Sequence, residues 1–204
     1  MSMTIDIVRR GIITLQERQQ MYSVFSRYYD NVDPSRFEAD LNDKDWVIQL
    51  RNDAHVIVGF STVQTYQHCG SSEPVIILYS GDTIVDRPYR TNGDLAGAFG
   101  HLLIRTIDQD NRIPIFWFLT SKGVRTYRFL PVFFNMFFPA FDRSTPHHIR
   151  QLIDHLATDK FGSSYSSDSQ VVSHNGQRDW LCASEHDPLL MKRSDPHITF
   201  FLEN

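Results

Sequence analysis

A chain of 204 residues that is 41% hydrophobic and 22% charged can bury one α/β core and is too short for two full-size domains to be the default. Its net charge of -4 with histidine neutral runs against nucleic-acid binding, which ordinarily brings a basic excess. Cys69 and Cys182 stand far apart without metal-type spacing, no stretch reaches the roughly 18 apolar residues of a membrane span, and MSMTIDIVRRG has no signal-peptide core; a reduced, cytoplasmic protein without a metal site is expected.

Thr4 to Val8 alternates as a first strand does. Thr14 with Glu17 three residues on spells a capping box, and Leu15, Met21, Tyr22, Phe25 and Tyr28 or Tyr29 supply the apolar face of the helix that follows. Asp33 before Pro34 opens a second, short helix with Phe37 and Leu41 on its buried side. Trp46 to Leu50 and His55 to Tyr66 are strand-like runs joined by a polar turn, so they pair as a hairpin.

The apolar run PVIILYSGDTIVD, from Pro74 to Asp86, is rich in β-branched residues and reads as a buried strand; Gly81 inside it marks a bulge or a close backbone approach. The loop RPYRTNGD and the helix LAGAFGHLLIR follow, with Leu95, Phe99, Leu102, Leu103 and Thr106 on one face and Gly97 and Gly100 offering little bulk toward a sheet. Strand, glycine loop and helix form a phosphate-binding layout, because amides of the first helical turn have no partner inside the helix. Ile113 to Thr120 is the next buried strand.

The segment RFLPVFFNMFFPAF, from Arg128 to Phe141, holds six phenylalanines at helical spacing, interrupted by Pro131 and Pro139. A core or homodimer contact is the preferred reading, ahead of a pocket for an acyl chain. Thr145-Pro146 opens a helix with Ile149, Leu152, Ile153 and Leu156 inward; FGSSYSSDSQ reads as a surface loop; Val171-Val172, Trp180 to Cys182 and Ile198 to Leu202 read as short strands.

The order β-α-α-β-β-β-α-β and the spelling YRTNGDLAGA resemble the GNAT superfamily of acyl-CoA-dependent N-acyltransferases. Its motif has Arg or Gln, two residues, Gly, one residue, then Gly or Ala. Arg90 and Gly93 match, and Leu95 stands at the third position. The resemblance covers about Thr4 to Leu130. It implies an α+β fold with a mixed, mostly antiparallel sheet flanked by helices, in a single domain 1–204 whose part 131–204 is an embellishment. It also implies acetyl-CoA or another acyl-CoA as cosubstrate, its pyrophosphate wrapped by amides of Arg90, Thr91, Asn92, Gly93, Asp94 and Leu95. Its thioester arm would lie along Ile84 and Val85, where the fourth strand bulges at Ser80-Gly81-Asp82 and splays from the fifth.

Gly123 and Tyr127 keep the family's spacing of a small residue and a Tyr, three and seven residues beyond an Asn for which Thr120 stands here. The resemblance implies that Tyr127 is the acid that protonates the departing CoA thiolate. A carboxylate acting directly or through water suits the base that neutralises an acceptor amine. Asp82 and Asp86 stand on or just after the strand, where each reads equally as a solvated carboxylate. The alternative function is a GNAT-fold ligand-binding or interaction protein that does not use CoA.

Overall fold

A computed structural model of the protein describes residues 3–69, 73–90, 94–107, 112–176, 178–185 and 194–203. They fall into two compact units, Met1–Thr120 and Ser121–Asn204.

The first unit is built on five strands that lie side by side in sequence order: β1 (Met3–Arg9), β2 (Trp46–Asn52), β3 (Ile57–His68), β4 (Val75–Val85) and β5 (Ile115–Leu119). The first four pair antiparallel, and β5 runs parallel to β4. A parallel neighbour needs a crossover, here helix α3 (Asp94–Ile107) between β4 and β5. Helices α1 (Leu15–Phe25) and α2 (Pro34–Asn42) come between β1 and β2.

Local chemistry sets where the first two helices begin. The Thr14 hydroxyl accepts from the Glu17 amide while the Glu17 carboxylate accepts from the Thr14 amide at 2.7 Å, a complete capping box. Asp33 caps α2 by accepting from the Arg36 amide at 2.7 Å, with Pro34 in the first helical position where its missing N–H costs nothing. Buried Met21, Val24 and Phe25 of α1 and Phe37 and Leu41 of α2 then close over Val47, Ile57, Phe60 and Ile84 of the sheet. Leu15 departs from its expected place: it is 71% exposed, because it sits in the first turn beyond the edge of that core.

Helix α3 is amphipathic as expected, burying Leu95, Leu102 and Thr106, and its Phe99 ring stacks on Trp117 of β5 with centroids 4.7 Å apart. Arg105 lies over the Trp46 ring at 5.0 Å. Gly97 and Gly100 do not serve a close approach to the sheet, since an added Cβ at either position would meet nothing within 4 Å.

The second unit contains short helices α4 (Val124–Tyr127) and α5 (Phe129–Phe133), a long helix α6 (His147–Phe161), a hairpin of β6 (Tyr165–Ser166) and β7 (Val171–Val172), and helix α7 (Pro196–Glu203). The FGSSYSSDSQ stretch is thus partly strand. Ile198 to Leu202 is helical rather than extended. A short apolar run has no decisive period, and the start signal decides: the Asp195 carboxylate accepts from the His197 amide at 2.9 Å, with Pro196 first in the helix. The phenylalanine stripe is also corrected. The helix stops at Phe133, so Phe133, Phe137 and Phe141 share no helix face. Phe133 is 53% and Phe141 43% exposed, which removes both from a core role.

Candidate active site

In the first unit, parallel pairing of β4 with β5 runs from Ile76–Ile115 to Ser80–Leu119 and stops. β4 continues to Val85, paired only with β3 among the described residues. The change happens at an irregularity. Ser80 pairs with Val63 and Thr83 with Ser61, so Gly81 and Asp82 together face the single residue Thr62. That is a β-bulge, which bends its strand and increases twist. Only glycine fits its first position: a Cβ on Gly81 would lie 2.6 Å from the Thr62 hydroxyl oxygen and 2.7 Å from Cε of buried Lys44.

Around the bulge, Asp82 is half-buried and lies near enough to Tyr79 to act on its phenol. Tyr79 is buried, its hydroxyl 3.4 Å from the Thr120 hydroxyl, and Lys44 Nζ is 5.8 Å from its ring centroid. Across the ladder, Trp117 donates to the Ser80 hydroxyl at 2.9 Å beside the last paired position, where β5 ends. Burial pushes the Tyr79 phenol up to about 12, with the Asp82 and Asp40 carboxylates adding to the rise. A folded-state value above the unfolded one of about 10 means that the folded protein holds the extra proton between those values, so stability falls as pH rises through that window. We expect about 3 kcal/mol to be lost there. Tyr79→Phe should flatten the alkaline arm in denaturant titrations, and an unchanged arm would show that Tyr79 does not set it.

Ile84 is buried opposite Phe60, so its side chain belongs to the core and only its backbone is available to a ligand. Val85 pairs with Gly59, and its carbonyl accepts from Arg90 Nε at 2.7 Å. The Arg90 guanidinium lies 4.6 Å over the Tyr28 ring. Asp86 caps the short turn Arg87–Tyr89, accepts from the Tyr28 hydroxyl, and pairs with Arg27 at 2.8 Å. Its carboxylate therefore anchors the loop, which argues against a role for Asp86 as a base. Thr91, Asn92, Gly93 and the Asp94 side chain lie outside the described residues. Leu95 is 6% exposed, so its bulk is packed inside the unit.

Tyr127 belongs to the second unit, whereas Asp82, Ile84, Val85, Arg90 and Leu95 belong to the first. The Tyr127 phenol is buried among the rings of Phe137, His197, Phe200 and Phe201. Burial, followed by the Asp142 and Asp195 carboxylates, pushes it up to about 12. Two residues of these neighbourhoods escaped sequence reasoning. Tyr79 reads there as one more apolar strand residue, and His197 as one of nine scattered histidines.

No protein-family model matches the sequence, and no curated protein does. Solved structures match by shape. An aminoglycoside N-acetyltransferase solved with CoA is 12% identical, with a TM-score of 0.50 over 71% of this chain and 97% of that one. A ribosomal-protein-alanine N-acetyltransferase from Brucella melitensis is 11% identical, with a TM-score of 0.50 over 72% and 99%. The chain has the GNAT fold. Identity this low speaks for the GNAT fold alone, so the chemistry rests on the residues themselves. Among the described residues no helix is long and apolar enough to cross a membrane.

Proposed function

We propose that the protein is an acyl-CoA-dependent N-acyltransferase. The observation that carries this reading is the Gly81–Asp82 bulge at the point where β4 runs on beyond its pairing with β5, in the strand that precedes α3. The β4 backbone beyond Ser80 is left by β5 to hold a thioester arm, and the first-turn amides of α3 suit the diphosphate of acetyl-CoA or a longer acyl-CoA. Arg90 stands beside the turn with its Nε on the Val85 carbonyl and adds positive charge there, while Arg27 is paired with the Asp86 carboxylate. Inward packing of Leu95 keeps its side chain from crowding the helix N-terminus.

In this reading a neutral acceptor amine attacks the thioester carbonyl carbon, a C–N bond forms, and the C–S bond breaks to release CoA thiolate. Asp82, directly or through water, takes the proton that the amine loses, and Tyr127 donates to the sulfur. Close positioning of amine and thioester supplies much of the acceleration. The acceptor is a small molecule or peptide bearing an amine, as in the shape-matched enzymes named for an aminoglycoside and for a protein alanine.

Calorimetric titration with acetyl-CoA tests the reading. Saturable binding is expected, raising stability by about 2.7 kcal/mol when ligand reaches a hundredfold excess over its dissociation constant. No heat and no thermal shift at millimolar acetyl-CoA would overturn it in favour of a GNAT-fold ligand-binding protein.

A further inference from the structure

Within the second unit, three buried polar atoms have no hydrogen-bond partner among the described residues: Gln170 Nε2, the Tyr127 hydroxyl and His197 Nδ1. The last two share one neighbourhood. The Tyr127 and His197 ring centroids are 6.5 Å apart, and Phe137 touches both rings, at 6.4 Å and 6.0 Å. Phe141 meets the His197 ring edge-on at 4.7 Å while remaining 43% exposed, so one wall of the cluster reaches solvent. Buried polar groups are ordinarily satisfied, and one left unpaired loses its water without a replacement. Two such atoms in one aromatic cluster call for a ligand that pairs with both.

The charges nearby select its sign. Asp142 acts on both Tyr127 and His197, and Asp195 acts on Tyr127 while capping the His197 amide. Arg143 pairs with Asp142 at 2.6 Å and Arg128 lies 3.8 Å from Asp195, which tempers but does not reverse the field, since at the phenol it is the carboxylates that act. Aromatic faces beside a negative potential favour a cation over an anion. An ammonium group carries N–H donors for both the imidazole nitrogen and the phenol oxygen.

We propose that Tyr127 and His197, enclosed by Phe137 and Phe141, form a binding site for a primary ammonium group carrying an apolar or aromatic arm. The binding does not rest on the acyltransferase assignment.

Phenethylamine is the probe, titrated into the full chain without acyl-CoA and followed by the His197 ring proton resonances, assigned with His197→Gln. A saturable shift is expected with phenethylamine and none with phenylacetate, which has the same arm and the opposite charge. Tyr127→Phe should weaken phenethylamine about tenfold, the loss expected for one hydrogen bond. The same variant should melt no lower than wild type, because its hydroxyl has no partner to lose among the described residues. Absence of a saturable shift, equal binding of phenylacetate, or a Tyr127→Phe variant that binds normally or melts several degrees lower would overturn the site. Failure of the acetyl-CoA titration leaves these measurements intact, so the two readings fail separately.

Discussion

Tyr127→Phe is expected to lower the rate of acyl transfer at saturating substrates by about 10²-fold, the lower end of what a positioned proton donor supplies. The lower end follows from the environment. Burial holds the phenol at about 12, well above an ordinary thiol near 8.5, so complete transfer to a thiolate would be uphill. What the hydroxyl offers instead is a hydrogen bond that strengthens as negative charge collects on sulfur and the C–S bond breaks. An interaction made mainly in the transition state appears in kcat and leaves acyl-CoA affinity in place. Steady-state kinetics with acetyl-CoA and an amine that the enzyme accepts decide the matter. A variant with full turnover at saturation would remove Tyr127 from the chemistry.

Elements with a local signature were legible in the sequence. The Thr14–Glu17 capping box and the Asp33-Pro34 start each state a helix boundary in a few adjacent residues, and the structure forms both. The alternation of Thr4 to Val8, the strand-like runs from Trp46 and His55 and the β-branched run after Pro74 gave the sheet, and the mixed order of elements gave the GNAT fold. Gly81 could be read as a bulge because its absent Cβ is a local fact with a local consequence.

Features that depend on what a residue meets across the fold were not legible. Ile198 to Leu202 has no period of its own, and the Asp195 cap that makes it helical is one carboxylate among many. Phenylalanines four apart formed a stripe only on the assumption of one continuous helix, which ends at Phe133. Leu95 is the exception, since its helical spacing had already placed it on the apolar face where it is buried. The unpaired Tyr127 hydroxyl and His197 imidazole are seventy positions apart, a distance over which no sequence pattern reaches.

Deleting Gly81 should separate the fold from its activity. With Gly81 gone, Ser80 still faces Val63, Asp82 alone faces Thr62, and Thr83 still faces Ser61, so the ladder closes without a register shift. Alternation stays in phase. Ile84 keeps its place opposite Phe60 in the core, and no side chain changes face, which is the event that makes an ordinary one-residue slip destructive. A regular ladder also relieves the crowding beside Thr62 and Lys44. Stability should therefore stay within about 1 to 2 kcal/mol of wild type, inside the range of ordinary single changes. What disappears is the bend in β4 at the opening where β5 has ended, together with the turn that places Asp82 beside Tyr79. If a thioester arm lies in that opening, straightening the strand misplaces it by an ångström or more, and displacements of that size cost about 10² in rate. Thermal melting, acetyl-CoA titration and transfer assays on the deletion variant measure all three consequences. Gly81→Val, which keeps the bulge length but drives a side chain into Thr62 and Lys44, should instead lose stability by about 1 to 3 kcal/mol, the usual cost of overpacking. A deletion variant that folds and transfers acyl groups at the wild-type rate would show that the opening between β4 and β5 is not where the thioester reacts.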